Sequence, residues 1–326
     1  MKKHNGRLKW FMIYTFAFIL AFVGSVVVKM TYTPSWSKNY MVQWSEKVGT
    51  IHKDIAYGTE ESNKFDLYLP SNTTKNSYGL VVYLHAGGFA TGDKKDDKEM
   101  LQWLASKGYV AAGINYTLRN ENNPKASVYT QSLEIKKSIP KVIEIAKELG
   151  YNIDKMALSG GSAGHTLAMI YAYRDGKEAP VPVTMLFGAV GPSSFYNEDW
   201  SNYGLNKDDE ETRKAAADLF GVMAGKTIEP EILGTNKYDE EIKDISALLW
   251  IDENTVPSLL AYGKFDKVQP FEASKRLNKR LENYNVPHDY LVFEHSGHGL
   301  QNDSKMMKLY YEKIEDYLEK YLPTEE

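Results

Sequence analysis

The sequence predicts an α/β fold, a mostly parallel central sheet flanked by helices, and three observations predict it. Short apolar runs of strand type alternate with helical segments from about residue 50 to the C-terminus. One run, Leu80 to Leu84 (LVVYL), is continuously apolar, as a strand covered on both faces must be. A Gly-rich turn, Gly160 to Gly164, sits directly between a strand run and a helical run. The chain has 326 residues, 43% hydrophobic and 25% charged, with 24 Gly and 12 Pro. It is therefore long enough for a large core and unlike a disordered or collagenous chain.

Residues 51–57 and 64–69 read as opening antiparallel strands, closed by Pro70 and the polar stretch SNTTKNS. After LVVYL, a helix is expected over 98–107 and a strand over 109–114 (YVAAGI). A long helix over 127–149 places Leu133, Ile139, Val142, Ile143 and Ala146 on one stripe. The strand KMAL, 155–158, runs into GGSAGH, with a helix over 165–173 and a strand at 183–187. VPSLLAY (256–262), a helix over 270–283, a strand at 289–293 and a helix over 303–321 complete the alternation. Residues 191–250 break the rhythm. They are polar, hold a helix at 210–224 and read as a lid-like insertion between two strands.

The N-terminus carries a separate signal. Trp10 to Val28 is an uncharged run of 19 residues, preceded by Lys2, Lys3, Arg7 and Lys9 and ended by Lys29. As a helix it would span about 28 Å, one hydrocarbon core. The sequence therefore predicts a basic cytoplasmic leader over 1–9, a transmembrane signal anchor over 10–28 and a juxtamembrane segment over 29–49. One extracytoplasmic domain over 50–326 would follow, with the bilayer as a partner and a single-pass location in the cell membrane. The imperfect small-x-small site Val23-Gly24-Ser25 makes cleavage and secretion the alternative. Trp36, Tyr40, Met41 and Trp44 fit an interfacial or domain-capping helix.

Charge and composition exclude whole classes of function. With 39 basic against 43 acidic residues and a net charge of -4, the chain lacks the positive field a nucleic-acid partner needs. Without cysteine it has no thiolate nucleophile, Cys-ligated zinc, Fe–S cluster or disulfide. Asp96, Asp97 and Glu99 of KKDDKE imitate a cation site but fit a solvated, charged helix start. The chemistry read below calls for no metal or cofactor.

In Gly160-Gly161-Ser162-Ala163-Gly164 a serine stands two residues from glycine on either side, after a strand and before a helix. A sharp turn of this kind forces the serine into strained backbone geometry, and the small neighbours let strand and helix approach closely. Ser162 is the candidate nucleophile, and a neutral hydroxyl needs a base. Of seven histidines, those following the serine and an intervening acid are His288, His295 and His298. His298, in the loop Ser296-Gly297-His298-Gly299, is the candidate base, with His295 its competitor. Asp266, in Gly263-Lys264-Phe265-Asp266, follows the strand VPSLLAY and is placed to orient the imidazole. Asp252 and Glu253 precede that strand and would emerge at the wrong end of the sheet. Acyl transfer develops an oxyanion, which needs preorganised N–H donors. Gly87 and Gly88, in His85-Ala86-Gly87-Gly88-Phe89, and Ala163 are the candidates, with His85 bracing their loop.

Taken together, HAGGF, Asn115-Tyr116, GGSAGH, GKFDKVQP and SGHG make the chain resemble the α/β-hydrolases over about residues 50–322. It is most similar to the esterase/lipase group related to hormone-sensitive lipase and to bacterial feruloyl or acetyl esterase-like proteins. The resemblance implies hydrolysis of carboxylic esters through an acyl-serine, with Ser162, Asp266 and His298 as triad. Ala86 replaces the first glycine of the HGGG-type motif but leaves both matched donors in place. Phe89, Tyr116, His165, Phe195, Tyr196 and Trp200 lie on segments leaving the active end of the sheet. They are candidate pocket residues for small or aromatic acyl esters. A serine peptidase or amidase with the same triad is the rival enzyme, and a non-catalytic cell-surface protein of this fold is the rival of another class.

Overall fold

The computed structural model describes residues 34–72 and 74–324. Contacts divide the chain between Met41 and Val42. In the first unit, Ser35–Tyr40 is a six-residue 3-10 helix: Pro34 opens it and Met41 returns to extended backbone. The rings of Trp36 and Tyr40 meet edge-on at 6.1 Å.

The second unit is built on one eight-stranded sheet. Its strands are β1 (Gly49–Ala56), β2 (Lys64–Pro70), β3 (Tyr78–Leu84), β4 (Val110–Ile114), β5 (Ile153–Gly161), β6 (Val183–Ala189), β7 (Ser258–Gly263) and β8 (His288–Phe293). They lie in the order β1-β2-β4-β3-β5-β6-β7-β8. β2 pairs antiparallel with both β1 and β4, and the remaining pairs are parallel, so β2 alone runs against the sheet. From β3 the chain moves to β4 on one side, and from β5 to β6 on the other. The β3/β5 boundary is thus the topological switch point, where a crevice opens beyond the strands' carboxyl ends.

Burial explains why the apolar runs became central strands. Leu80, Val81, Val82 and Leu84 of β3 are fully buried, and each such side chain contributes about 1.5–3 kcal/mol relative to exposure. The helices are α1 (Lys98–Ser106), α2 (Val128–Glu148), α3 (Ala163–Ile170), α4 (Glu210–Ala224), α5 (Asn236–Ile242), α6 (Phe271–Asn283) and α7 (Ser304–Tyr321). A reciprocal cap between Ser127 and Thr130 starts α2, whose core face is Ile135, Ile139, Val142 and Ala146. Leu133, expected on that face, is exposed. Helix α3 begins two residues earlier than the periodicity suggested, because the turn at Ser162 feeds straight into it.

The insertion is more tightly packed than its polar composition suggested. Phe195, Trp200, Phe220 and Tyr238 are all buried, with Phe195 within 6.0 Å of both Trp200 and Phe220 by ring centroid. A shared aromatic core of this kind makes residues 191–250 a packed layer.

The expected transmembrane helix, residues 10–28, lies outside the described residues. Among the described residues no helix is long and apolar enough to cross a membrane. The two longest, α2 and α7, carry Lys and Glu along their length, which a bilayer interior disfavours. The transmembrane helix, the bilayer as a partner and the single-pass cell-membrane location are corrected on this finding.

Candidate active site

Ser162 follows the last residue of β5 at φ 50°, ψ -118°, a conformation costing a non-glycine residue on the order of 1–3 kcal/mol. Its amide donates to the Ala189 carbonyl at 2.8 Å, which ties the strained residue to the end of β6. The flanking glycines are a steric requirement. A Cβ on Gly160 would lie 2.5 Å from the Gly164 carbonyl carbon, and one on Gly164 would lie 1.9 Å from the Leu84 carbonyl oxygen. The start of α3 is pressed against the end of β3, and only hydrogen fits between.

From the opposite side, His298 reaches Ser162, with Nε2 2.9 Å from Oγ. Its Nδ1 lies 2.8 Å from Asp266 Oδ2. The other oxygen of Asp266 accepts the amides of Val268 at 2.8 Å and Gln269 at 2.9 Å, so the carboxylate is fixed from three directions. A carboxylate on Nδ1 keeps the proton there and leaves Nε2 as an acceptor for the serine hydroxyl. The acid and histidine loops touch through backbone: a Cβ on Gly263 would sit 2.2 Å from the Gly297 carbonyl oxygen. His295 turns away. Its side chain is 78% exposed, with Nδ1 2.7 Å from Asp303. Asp252 pairs with Lys177 at 2.7 Å, away from the relay.

Gly87 and Gly88 both take positive φ, 130° and 60°. The Gly87 carbonyl accepts the amides of Ala90 and Thr91, while the amides of Gly87, Gly88 and Ala163 donate to no acceptor among the described residues. His85 is buried beside this loop, its Nδ1 2.7 Å from the Ala86 carbonyl. Its ring stacks on Tyr116 at 4.3 Å, and the Tyr116 hydroxyl donates to the His85 carbonyl at 2.9 Å. Burial holds the His85 imidazole below its ordinary pKa and thus neutral, consistent with a brace.

Four of the six pocket candidates are packed into the interior. Tyr116, His165, Phe195 and Trp200 are buried, because large rings next to the sheet gain more from the core than from the crevice. His165 occupies space left by Gly188 and Gly191, accepts the Gly191 amide at 3.1 Å, and is driven by burial to a pKa of about 3. Phe89 and Tyr196 remain half-exposed. The expected solvated start of α1 fails at Asp97, where one carboxylate oxygen is buried without a hydrogen-bond partner among the described residues and burial raises the pKa to about 7.

Several supporting residues were not anticipated. Gln131, buried on α2, donates from Nε2 to the carbonyls of Phe89 and Thr117, both at 2.8 Å. A polar side chain at a core-facing helix position is the signal that could have found it. Lys94, also buried, is held between Asp54 at 2.8 Å and Asp66 at 3.0 Å, and its amide donates to Asn115 at 2.6 Å. Asn202 of the insertion donates to the Asp266 carbonyl at 3.0 Å, and the Tyr203 hydroxyl donates to the Val268 carbonyl at 2.9 Å. Arg276 of α6 secures the same region through Asp199 at 2.6 Å.

The strand order and the strained serine after β5 make this an α/β-hydrolase of the esterase/lipase type. The BD-FAE family profile matches residues 65–281, and the chain belongs to that family. Among similar proteins, a probable isoprenylcysteine alpha-carbonyl methylesterase of Arabidopsis thaliana is 24% identical over 255 residues, 76% of this chain and 51% of its own length. A kynurenine formamidase of Salmo salar is 31% identical over 118 residues, 36% of this chain and 37% of its own length. The chain thus spans about half or less of these two relatives. The solved structure of a thermophilic esterase from Thermogutta terrifontis shares the fold with a TM-score of 0.63 at 19% identity, covering 86% of this chain and 95% of that one.

Proposed function

We propose that the chain is a serine carboxylesterase that hydrolyses small or aromatic acyl esters through an acyl-serine intermediate. In this reading His298 takes the Ser162 proton as the oxygen attacks the ester carbonyl, and Asp266 holds the imidazole and its developing charge. The tetrahedral oxyanion is received by the amides of Gly87, Gly88 and Ala163. His298 then protonates the departing alcohol, and later draws a proton from the water that cleaves the acyl-serine. The observation that carries the reading is the continuous relay from Asp266 through His298 to Ser162, at 2.8 and 2.9 Å. The free amides across the crevice and the family membership support it.

The test is a panel of p-nitrophenyl esters and acetylated or feruloylated sugars run on the full chain and on Ser162→Ala. Ester turnover that survives the substitution in protein free of contaminating enzyme overturns the reading. Similarity to a formamidase favours a second reading, amide hydrolysis by the same groups. A p-nitroanilide turned over faster than its matched p-nitrophenyl ester decides for it.

A further inference from the structure

A groove of about 740 Å³ lies between the loop that follows β4 and the C-terminal end of α4. Arg119 and Lys125 come from the loop, Ala217 and Val222 from α4, and Lys226 and Thr227 from just beyond it. Its sign is positive although the chain as a whole is negative. Lys226 is paired with Glu241 at 2.8 Å, and Asp218, the one carboxylate in the lining, is paired with Lys214 at 2.7 Å. Arg119 and Lys125 have no carboxylate partner within salt-bridge distance among the described residues. Helix poles do not alter this balance. The C-cap of α4, Gly225, abuts Ser127 at the start of α2, so two opposed poles meet there and side chains set the field.

Arg119 is also anchored. Its Nη1 donates to the Ala126 carbonyl at 2.8 Å, which holds the guanidinium in the groove with donors to spare. Its amide donates to the Phe89 carbonyl at 3.0 Å, the same oxygen that Gln131 supports. Phe89 directly follows Gly88, so the cationic wall is hydrogen-bonded to the residue next to a proposed oxyanion donor. Across the groove α4 brings the apolar surface of Ala217, Gly221 and Val222, the last 42% exposed, beside the Lys214-paired Asp218.

We propose that this groove is a substrate subsite for a carboxylate carried on the part of the ester remote from the scissile carbonyl. The inference rests on the ester-hydrolase reading above. A fixed guanidinium recognises a carboxylate through paired N–H donors, Lys125 adds a second charge, and the apolar surface of Ala217 and Val222 takes the connecting carbons.

Two matched pairs of esters test it on the full chain. On the acyl side, p-nitrophenyl hemiglutarate is compared with p-nitrophenyl valerate; on the alcohol side, O-acetyl-4-hydroxybenzoate is compared with O-acetyl-4-hydroxybenzamide. In at least one pair the anionic ester should have a kcat/KM about tenfold higher at low salt, an advantage that shrinks as salt is raised to about 0.5 M. In Arg119→Gln/Lys125→Gln the ratio should fall to about one. Lys125→Gln alone, which leaves the Arg119–Ala126 bond in place, should lower it part of the way. No anionic preference in either pair, or a preference unchanged in both variants, overturns the subsite. Valerate turnover separates the two readings: if the neutral ester is cleaved and no preference appears, only the subsite falls. If none of the four esters is cleaved, the hydrolase reading falls with it.

Discussion

The two ends of the Ser162–His298–Asp266 relay are held by different physics. At the serine end, backbone meets backbone: Gly164 leaves no room for a Cβ beside Leu84, and the strained φ of Ser162 is fixed by the close approach of α3 to β3. At the acid end, side chains of the insertion add a second layer of support to the backbone contact of Gly263 with Gly297. Asn202 and Tyr203 of the insertion grip the carbonyls of Asp266 and Val268, and Arg276 ties the insertion to α6. Sterics of the first kind are all-or-none, whereas hydrogen bonds of the second contribute roughly 0.5–1.5 kcal/mol each. The serine end should therefore fail abruptly when altered and the acid end by degrees.

That contrast fails if the two ends respond alike. Gly164→Ala should leave no folded, active protein, because the new Cβ meets backbone that has nowhere to move; a soluble variant with a wild-type melting temperature breaks the comparison. Ser162→Ala should retain the wild-type melting temperature while ester turnover falls below about 1%, a loss of the size expected when a nucleophile is removed. Asp266→Asn keeps the shape of the acid loop but puts a donor where an acceptor is needed, and kcat should drop about a thousandfold or more. Asn202→Ala and Tyr203→Phe should each lower kcat only about two- to tenfold with KM nearly constant. Losses as large as that of Asp266→Asn would mean that the insertion enters the chemistry itself.

A last expected effect concerns stability and leaves the relay untouched. Burial raises Asp97 to about 7, above its unfolded value, so the fold favours the protonated acid. Its stabilising effect is complete below about pH 4 and is lost as pH rises through about 7, on the order of 1–3 kcal/mol. Urea midpoints at pH 5 and pH 8 should differ in the wild type, and the difference should narrow in Asp97→Asn. An equal slope in both proteins removes Asp97 as its source.

Legibility in the sequence follows the same division. The strands and the serine turn could be read because each depends on local pattern: a continuous apolar run for β3, glycines at fixed offsets for Ser162. His298 could be preferred to His295 from its Gly-flanked loop; in the structure His298 lies 2.9 Å from Ser162, while His295 meets Asp303 at 2.7 Å. What escaped depends on partners far away in sequence. Nothing local marks Asn202 as a donor to Asp266, 64 positions on, or Lys94 as the partner of Asp54. The burial of Tyr116, Phe195 and Trp200, against the half-exposure of Phe89 and Tyr196, was hidden for the same reason, since an aromatic beside a strand end faces core or crevice according to what distant segments lay over it. Leu133 is exposed because it lies two positions from Ile135, on the far side of α2 from the face that Ile139, Val142 and Ala146 turn to the core.

The kink in β1 bears on how the protein behaves when crowded. Pairing with β2 slips between His52 and Ile55, Asp54 takes φ 55°, and its amide and carboxylate are tied down by Asp66 and Lys94. A free sheet edge is a template on which another molecule can add a strand and begin a fibril. Here the outermost strand carries a locked bulge and exposed charge at Lys53 and Asp54, so its unpaired groups fall out of line with any straight incoming strand. Releasing the bulge by Lys94→Met would straighten that edge, and the cost would be seen first as growth of thioflavin-positive aggregates in concentrated solution.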